Sequence, residues 1–112
     1  MINKDIVWCI TIATFLHVII WYQLNGQLIW KWFKDNYMLM SLLGIPISYG
    51  WMKFTQIGYG GFGELWPVRF IGFATGMISF PLMTWLYLGE TITLKTLISI
   101  LLATVIMIVQ VL

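Results

Sequence analysis

The charges of this chain fall in short gaps between long apolar runs, and this constrains the fold more than any other feature. A helix rises 1.5 Å per residue, so roughly 20 consecutive apolar residues cross the hydrocarbon of a bilayer. Four runs approach or reach that length. The first, about 6–24, lies between Lys4-Asp5 and Asn25-Gly26. The second, about 37–54, follows Lys34-Asp35-Asn36 and is expected to end at Lys53, with a kink at Pro46. The third, about 66–88, carries Arg69 near its start and Pro81 near its end, and the fourth covers about 91–112.

The connectors support this division. Gln56 to Glu64 includes Gly58, Gly60, Gly61 and Gly63 and reads as a loop; Gly89-Glu90-Thr91 is tight enough to make the last two helices antiparallel neighbours. Asp5 and the length of the first run argue for a retained membrane helix over a secretory signal. The expected architecture is all-α and integral to the membrane: one four-transmembrane-helix domain over 1–112.

Composition excludes the main alternatives. Only 9% of residues are charged against 61% hydrophobic, which is too few charges to solvate the surface of so small a domain. The six Lys/Arg form no basic run able to neutralise a row of phosphates, so no nucleic-acid partner is expected. Membrane lipids are the expected surroundings. With four crossings, Lys4, Lys53 and Arg69 would share one side and Lys31, Lys34 and Lys95 the other. That balance gives no orientation and suits either insertion in both directions or a chance distribution. The segment Gln27 to Phe33, containing Trp30 and Trp32, suits the headgroup region, as an aromatic belt or as a docking surface for a lipid carrier.

Helices in lipid associate through small residues and a few polar groups. Such stripes are Cys9, Ala13 and His17 in the first run, and Ser41, Gly44 and Ser48 in the second. The third has Arg69, Gly72, Gly76 and Ser79, and the fourth Ser99, Ala103, Met107 and Gln110. Gly44, Gly72, Gly76, Ser99 and Ala103 are the expected packing positions; the Gly72–Gly76 pair fits ordinary packing or a dimer seam.

An ionisable group at membrane depth is a functional candidate by default, and His17 is the one expected near a helix centre. It suits proton exchange, a hydrogen bond to a solute, or a bond to the backbone of a neighbouring helix. Glu64 and Arg69 bracket the start of the third helix as guards of a cavity mouth or as interface anchors. Trp21 and Trp51 could line a cavity for a flat or cationic solute. A solute site is expected from His17, Trp21, Ser48, Glu64 and Arg69. No nucleophile–base pair, phosphate loop or metal cluster is visible, so no enzyme activity, cofactor or metal is expected.

Three stretches carry a family resemblance. Trp85-Leu86-Tyr87-Leu88-Gly89-Glu90, continuing from Thr91 to Lys95, is similar to the Gly-Glu turn before the terminal helix in the drug/metabolite transporter superfamily. Ile57-Gly58-Tyr59-Gly60-Gly61-Phe62 and Trp21-Tyr22-Gln23-Leu24 resemble an uncharacterised four-helix family related to the small multidrug resistance transporters. The resemblance implies a four-helix fold acting as a dimer, with solute movement by alternating access. Small multidrug resistance proteins place a glutamate in the first helix to bind proton and cationic drug; here that helix has no acid at membrane depth, and His17 lies near the corresponding level. The chain is thus expected to be a dimeric transporter of a small organic solute, or else a subunit that stabilises a larger membrane complex. The expected residence is a prokaryotic cytoplasmic membrane.

Overall fold

The computed structural model describes residues 3–112. Met1 and Ile2, part of the domain expected over 1–112, lie outside the described residues. The chain is 87% helix, with no strand among the described residues. Helix α1 spans Lys4–Asn25 and continues into a 3₁₀ turn at Gly26–Leu28; short helices α2 (Lys31–Asp35) and α3 (Tyr37–Ser41) follow. Then come α4 (Gly44–Phe62), α5 (Leu65–Leu88) and α6 (Leu94–Val111).

Each long helix has a local reason for its ends. The Asn3 side-chain oxygen accepts from the Ile6 N–H at 3.0 Å and starts α1, and Thr93 starts α6 by accepting from the Thr96 N–H. Gly63 and Gly89 end α4 and α5 at φ of 77° and 68°, a left-handed conformation that glycine enters without a Cβ clash. The Thr93 cap also explains why α6 begins at Leu94 and not near Thr91.

The second run departs most from expectation. A helix over about 37–54 is replaced by α3, a turn at Leu42-Leu43, and α4. Pro46 therefore sits in the first turn of α4, where its missing N–H would have had no helical partner, and it begins the helix instead of kinking it. Gly58, Gly60 and Gly61, read as loop, are helical. A Cβ on Gly58 would lie 2.9 Å from both Cys9 Sγ and a Val68 methyl, so this glycine serves close helix contact rather than a turn. Lys53, expected to end its helix, falls at the middle of α4 and is exposed.

Helices α1, α4 and α5 pack mutually, and α6 packs chiefly on α5. The core runs through Cys9, Ala13, Phe54, Val68 and Ile71, with Met107 and Val111 of α6 against it. Asn3 donates to the Gly61 carbonyl at one end of α4 and Gly44 lies beside Gln23 at the other, so α1 and α4 are antiparallel; Gln23 also donates to the Met40 carbonyl of α3. Thr11, Thr14, Thr55, Thr75 and Thr104 return their hydroxyl protons to carbonyls of their own helices. Apolar surroundings favour this arrangement, because lipid offers no other partner.

Among the described residues, three helices are long and apolar enough to cross a membrane: α1 with the turn after it, α5 and α6. Membrane integration follows from them. Helix α4 has 19 residues, about 28 Å at the helical rise, but Ser48, Lys53, Thr55 and Gln56 dilute it.

Candidate functional site

The small-residue stripe of α5 makes a notch, and His17 of α1 fills it. A Cβ on Gly76 would stand 2.6 Å from His17 Cε1 and 3.0 Å from both ring nitrogens. Only hydrogen at position 76 lets the imidazole come so close. His17 Nε2 lies 2.7 Å from the Gly72 carbonyl oxygen, and because a carbonyl only accepts, Nε2 carries the donated proton. Trp51 of α4 meets the ring edge-on, with centroids 5.0 Å apart. The Gly72–Gly76 pair is thus occupied within the chain by a side chain of α1.

His17 forms the floor of a cleft of about 830 Å³ between α4 and α5. Cavities of roughly 300–1,000 Å³ hold small organic ligands. From α4 come Trp51, Phe54 and Thr55; from α5 come Leu65, Trp66, Val68, Arg69, Gly72 and Phe73. Helical spacing explains the α5 wall, since Trp66, Arg69 and Phe73 stand at i, i+3 and i+7 on one face. Leu65 to Phe73 spans about 12 Å along the helix, so the cleft runs from the helix start toward its middle. Its mouth is open, with Trp66 74% exposed.

Arg69 is the single formal charge among the lining residues. It lies four residues into α5, about 6 Å from the helix start, a depth from which its long side chain can reach the interface. Thr55 donates to the Trp51 carbonyl at 2.9 Å, so toward the cleft its hydroxyl can only accept. The arrangement offers aromatic surface, one cation and few acceptors.

Of the expected site residues, the structure brings His17 and Arg69 together in this cleft with Gly72 and Trp51. Trp21 does not line it. Trp21 is 2% exposed, and its indole N–H donates to Thr84 Oγ1 at 3.0 Å. Its neighbours are Tyr22 and Tyr87, whose hydroxyls bond each other, with Trp30 and Phe33 beyond. This cluster ties the end of α1 to α5 and to the segment after α1. Ser48 is exposed on the outer side of α4, and Glu64 is exposed at the start of α5 outside the cleft lining.

The expected packing positions divide likewise. Gly76 serves the α1–α5 contact at His17, Gly72 lies against Phe54 and Trp51 of α4 while its carbonyl accepts from His17, and Ala103 is the buried residue of α6. Gly44 is half-buried beside Gln23, whereas Ser41 lies on α3 and Ser99 is exposed, each hydroxyl bonding its own helix. The inner face of α4 is instead Ile47, Gly50, Phe54 and Gly58. That spacing was available in the sequence and was hidden by reading Gly58 as loop. Trp66 and Phe73 were likewise available from their spacing to Arg69.

No described family, curated protein or solved structure matches this chain.

Proposed function

We propose that this chain binds a small organic solute in the α4–α5 cleft and moves it across a prokaryotic cytoplasmic membrane by alternating access, with no chemical step of its own. In this reading α4 is the fourth crossing of a four-helix bundle like that of the drug/metabolite transporter and small multidrug resistance proteins, and the working unit is a dimer. The observation that carries the reading is the cleft: about 830 Å³, aromatic-walled, open at the helix start, and floored by a histidine fixed from two helices. A chain built only to fill a membrane gap has no need of such a cavity. Helix α6 supports the dimer, because beyond Ala103 and the partly buried side that packs on α5 and the core it leaves an apolar outer face for lipid or a second copy.

Counterflow in proteoliposomes tests the reading. Vesicles preloaded with a mixture of aromatic acids, aromatic amines and aromatic alcohols are diluted into the same compounds carrying a radiolabel. Uptake of at least one class is expected, with loss in Phe73→Ala. No uptake of any class by protein of verified dimeric state would overturn transport.

A second reading has its own support in Lys53. An exposed cation at the middle of α4, beside Tyr49, Thr55 and Gln56, is suited to contact with another protein. An accessory subunit would co-purify in mild detergent with a larger chain; a transporter would emerge as its own dimer.

A further inference from the structure

The cleft's donors and acceptors are unequal, and the inequality selects a charge. Aromatic faces attract cations, but here the one formal charge beside them is the positive Arg69, and no acid among the lining residues offsets its repulsion of a cationic solute. The lining side-chain acceptor is the Thr55 hydroxyl oxygen, and the His17 ring is already engaged through Nε2 with the Gly72 carbonyl. On the donor side stand the guanidinium of Arg69, with five N–H groups in a planar fork, and the indole N–H groups of Trp51 and Trp66. None of these indoles or the guanidinium donates to a protein acceptor in the hydrogen bonds of the described residues. A planar fork in an apolar wall matches a carboxylate or sulfonate, which accepts two parallel bonds from it.

The rest of the lining sets the body of the ligand. Trp51 and Phe54 of α4 and Trp66 and Phe73 of α5 put four aromatic side chains in the lining with Arg69, the α5 wall alone running about 12 Å. Flat apolar rings bury well against such a surface.

We infer that the α4–α5 cleft takes a free amphipathic organic anion, an aromatic acid whose carboxylate or sulfonate meets Arg69 while its ring system lies among Trp51, Phe54 and Phe73. The inference rests on the cleft being a solute site and adds the sign and shape of the solute. It reverses the charge preference that a membrane-embedded glutamate gives to small multidrug resistance proteins. An anionic phospholipid shares the chemistry of the headgroup end, but its paired acyl chains do not match a wall of rings that ends against His17.

The test uses the full chain in phosphatidylcholine nanodiscs and three probes of one shape: 2-naphthoate, 2-naphthylmethylammonium and 2-naphthalenemethanol. Titration calorimetry is corrected with empty discs. The naphthoate is expected to bind at least about tenfold tighter than the ammonium, the weight of a charge-assisted bond. Arg69→Gln should abolish that preference at unchanged helicity, Arg69→Lys should restore part of it, and Phe73→Ala should weaken all three probes alike. Equal or tighter binding of the ammonium overturns the anion assignment and leaves the solute cleft standing. Absence of binding by all three probes overturns both. Discs doped with phosphatidylglycerol separate the two anion sources. If doping displaces naphthoate, and mass spectrometry finds an anionic lipid retained by the native chain and released by Arg69→Gln, the occupant is lipid and the free-anion inference fails.

Discussion

Substitution of Gly76 by Ala tests the central contact of the structure. The new Cβ would stand 2.6 Å from His17 Cε1, well inside contact distance. The imidazole cannot simply swing aside, because Nε2 is bonded to the Gly72 carbonyl at 2.7 Å and Trp51 abuts the ring. Overpacking of this kind costs about 1–3 kcal/mol. Displacing the ring also forfeits a hydrogen bond of about 0.5–1.5 kcal/mol, whereas Ala in place of a helical Gly returns about 1 kcal/mol. The net expectation is destabilisation of about 2 kcal/mol.

The assay is equilibrium unfolding by sodium dodecyl sulfate in mixed micelles, followed by circular dichroism, for Gly76→Ala, His17→Ala and the double variant. Without the imidazole the new methyl has room, so Gly76→Ala should become neutral or stabilising in the His17→Ala background. The coupling between the two sites should then be about 1–3 kcal/mol. If Gly76→Ala is equally costly in both backgrounds, or if it abolishes dimerisation without touching unfolding, the glycine pair is a seam between copies and the notch argument fails.

The same titration compares Gly58→Ala with Gly60→Ala. The first meets Cys9 and Val68 and should destabilise by about 1 kcal/mol after its helix gain, while the second meets open space and should stabilise by a few tenths to about 1 kcal/mol; matching signs would contradict the helical placement of both. Thr84→Val should cost about 1–3 kcal/mol by orphaning the buried Trp21 N–H, and adding Trp21→Phe should cost little more for that bond; full additivity would remove the Trp21–Thr84 pairing. Lys53→Leu should favour insertion of α4 in a translocon assay by about 3 kcal/mol, and an unchanged inserted fraction would move Lys53 away from the helix centre. Single cysteines at Asn3 and Gly60, in a Cys9→Ala background, should be labelled from the same side of the membrane, because Asn3 bonds Gly61; opposite sides would break the α1–α4 pairing.

Where charge and apolar length pointed the same way, the sequence was sufficient. The run at about 66–88, apolar but for Arg69, became Leu65–Leu88, and the uncharged run at about 6–24 became Lys4–Asn25. It misled where glycine had two meanings. Between Gln56 and Glu64 a glycine cluster reads as loop, yet only Gly63 takes the left-handed conformation, and Gly58 and Gly61 lie against α1 or α5. Which use a glycine serves depends on what stands opposite it, and a single chain does not print that. The site followed the same division. His17 and Arg69 were legible as costly groups in apolar runs. Trp21 lies one turn beyond His17 on the same face, as expected, but at its level α5 presents Thr84 and no cavity. Which level is filled and which is open depends on the partner helix.

Relocating Lys53 changes more than a boundary. At a helix end it counted toward a three-against-three balance of cations; at the middle of α4 it belongs to neither side, leaving Lys4 and Arg69 toward one end and Lys31, Lys34 and Lys95 toward the other. The charge argument for insertion in both directions loses its symmetry. What replaces it is positional. Helix α4 turns Trp51 and Phe54 inward to the cleft and shows Ser48, Tyr49, Lys53 and Gln56 outward as a polar face. If α4 crosses the membrane with its neighbours, hydrocarbon cannot cover that face at mid-depth without a cost of a few kcal/mol for the lysine alone. Protein or water must cover it instead. Because Thr55 borders both the polar face and the cleft, whatever covers Lys53 stands one helix width from the cleft, and what assembles on α4 bears on access to that cleft.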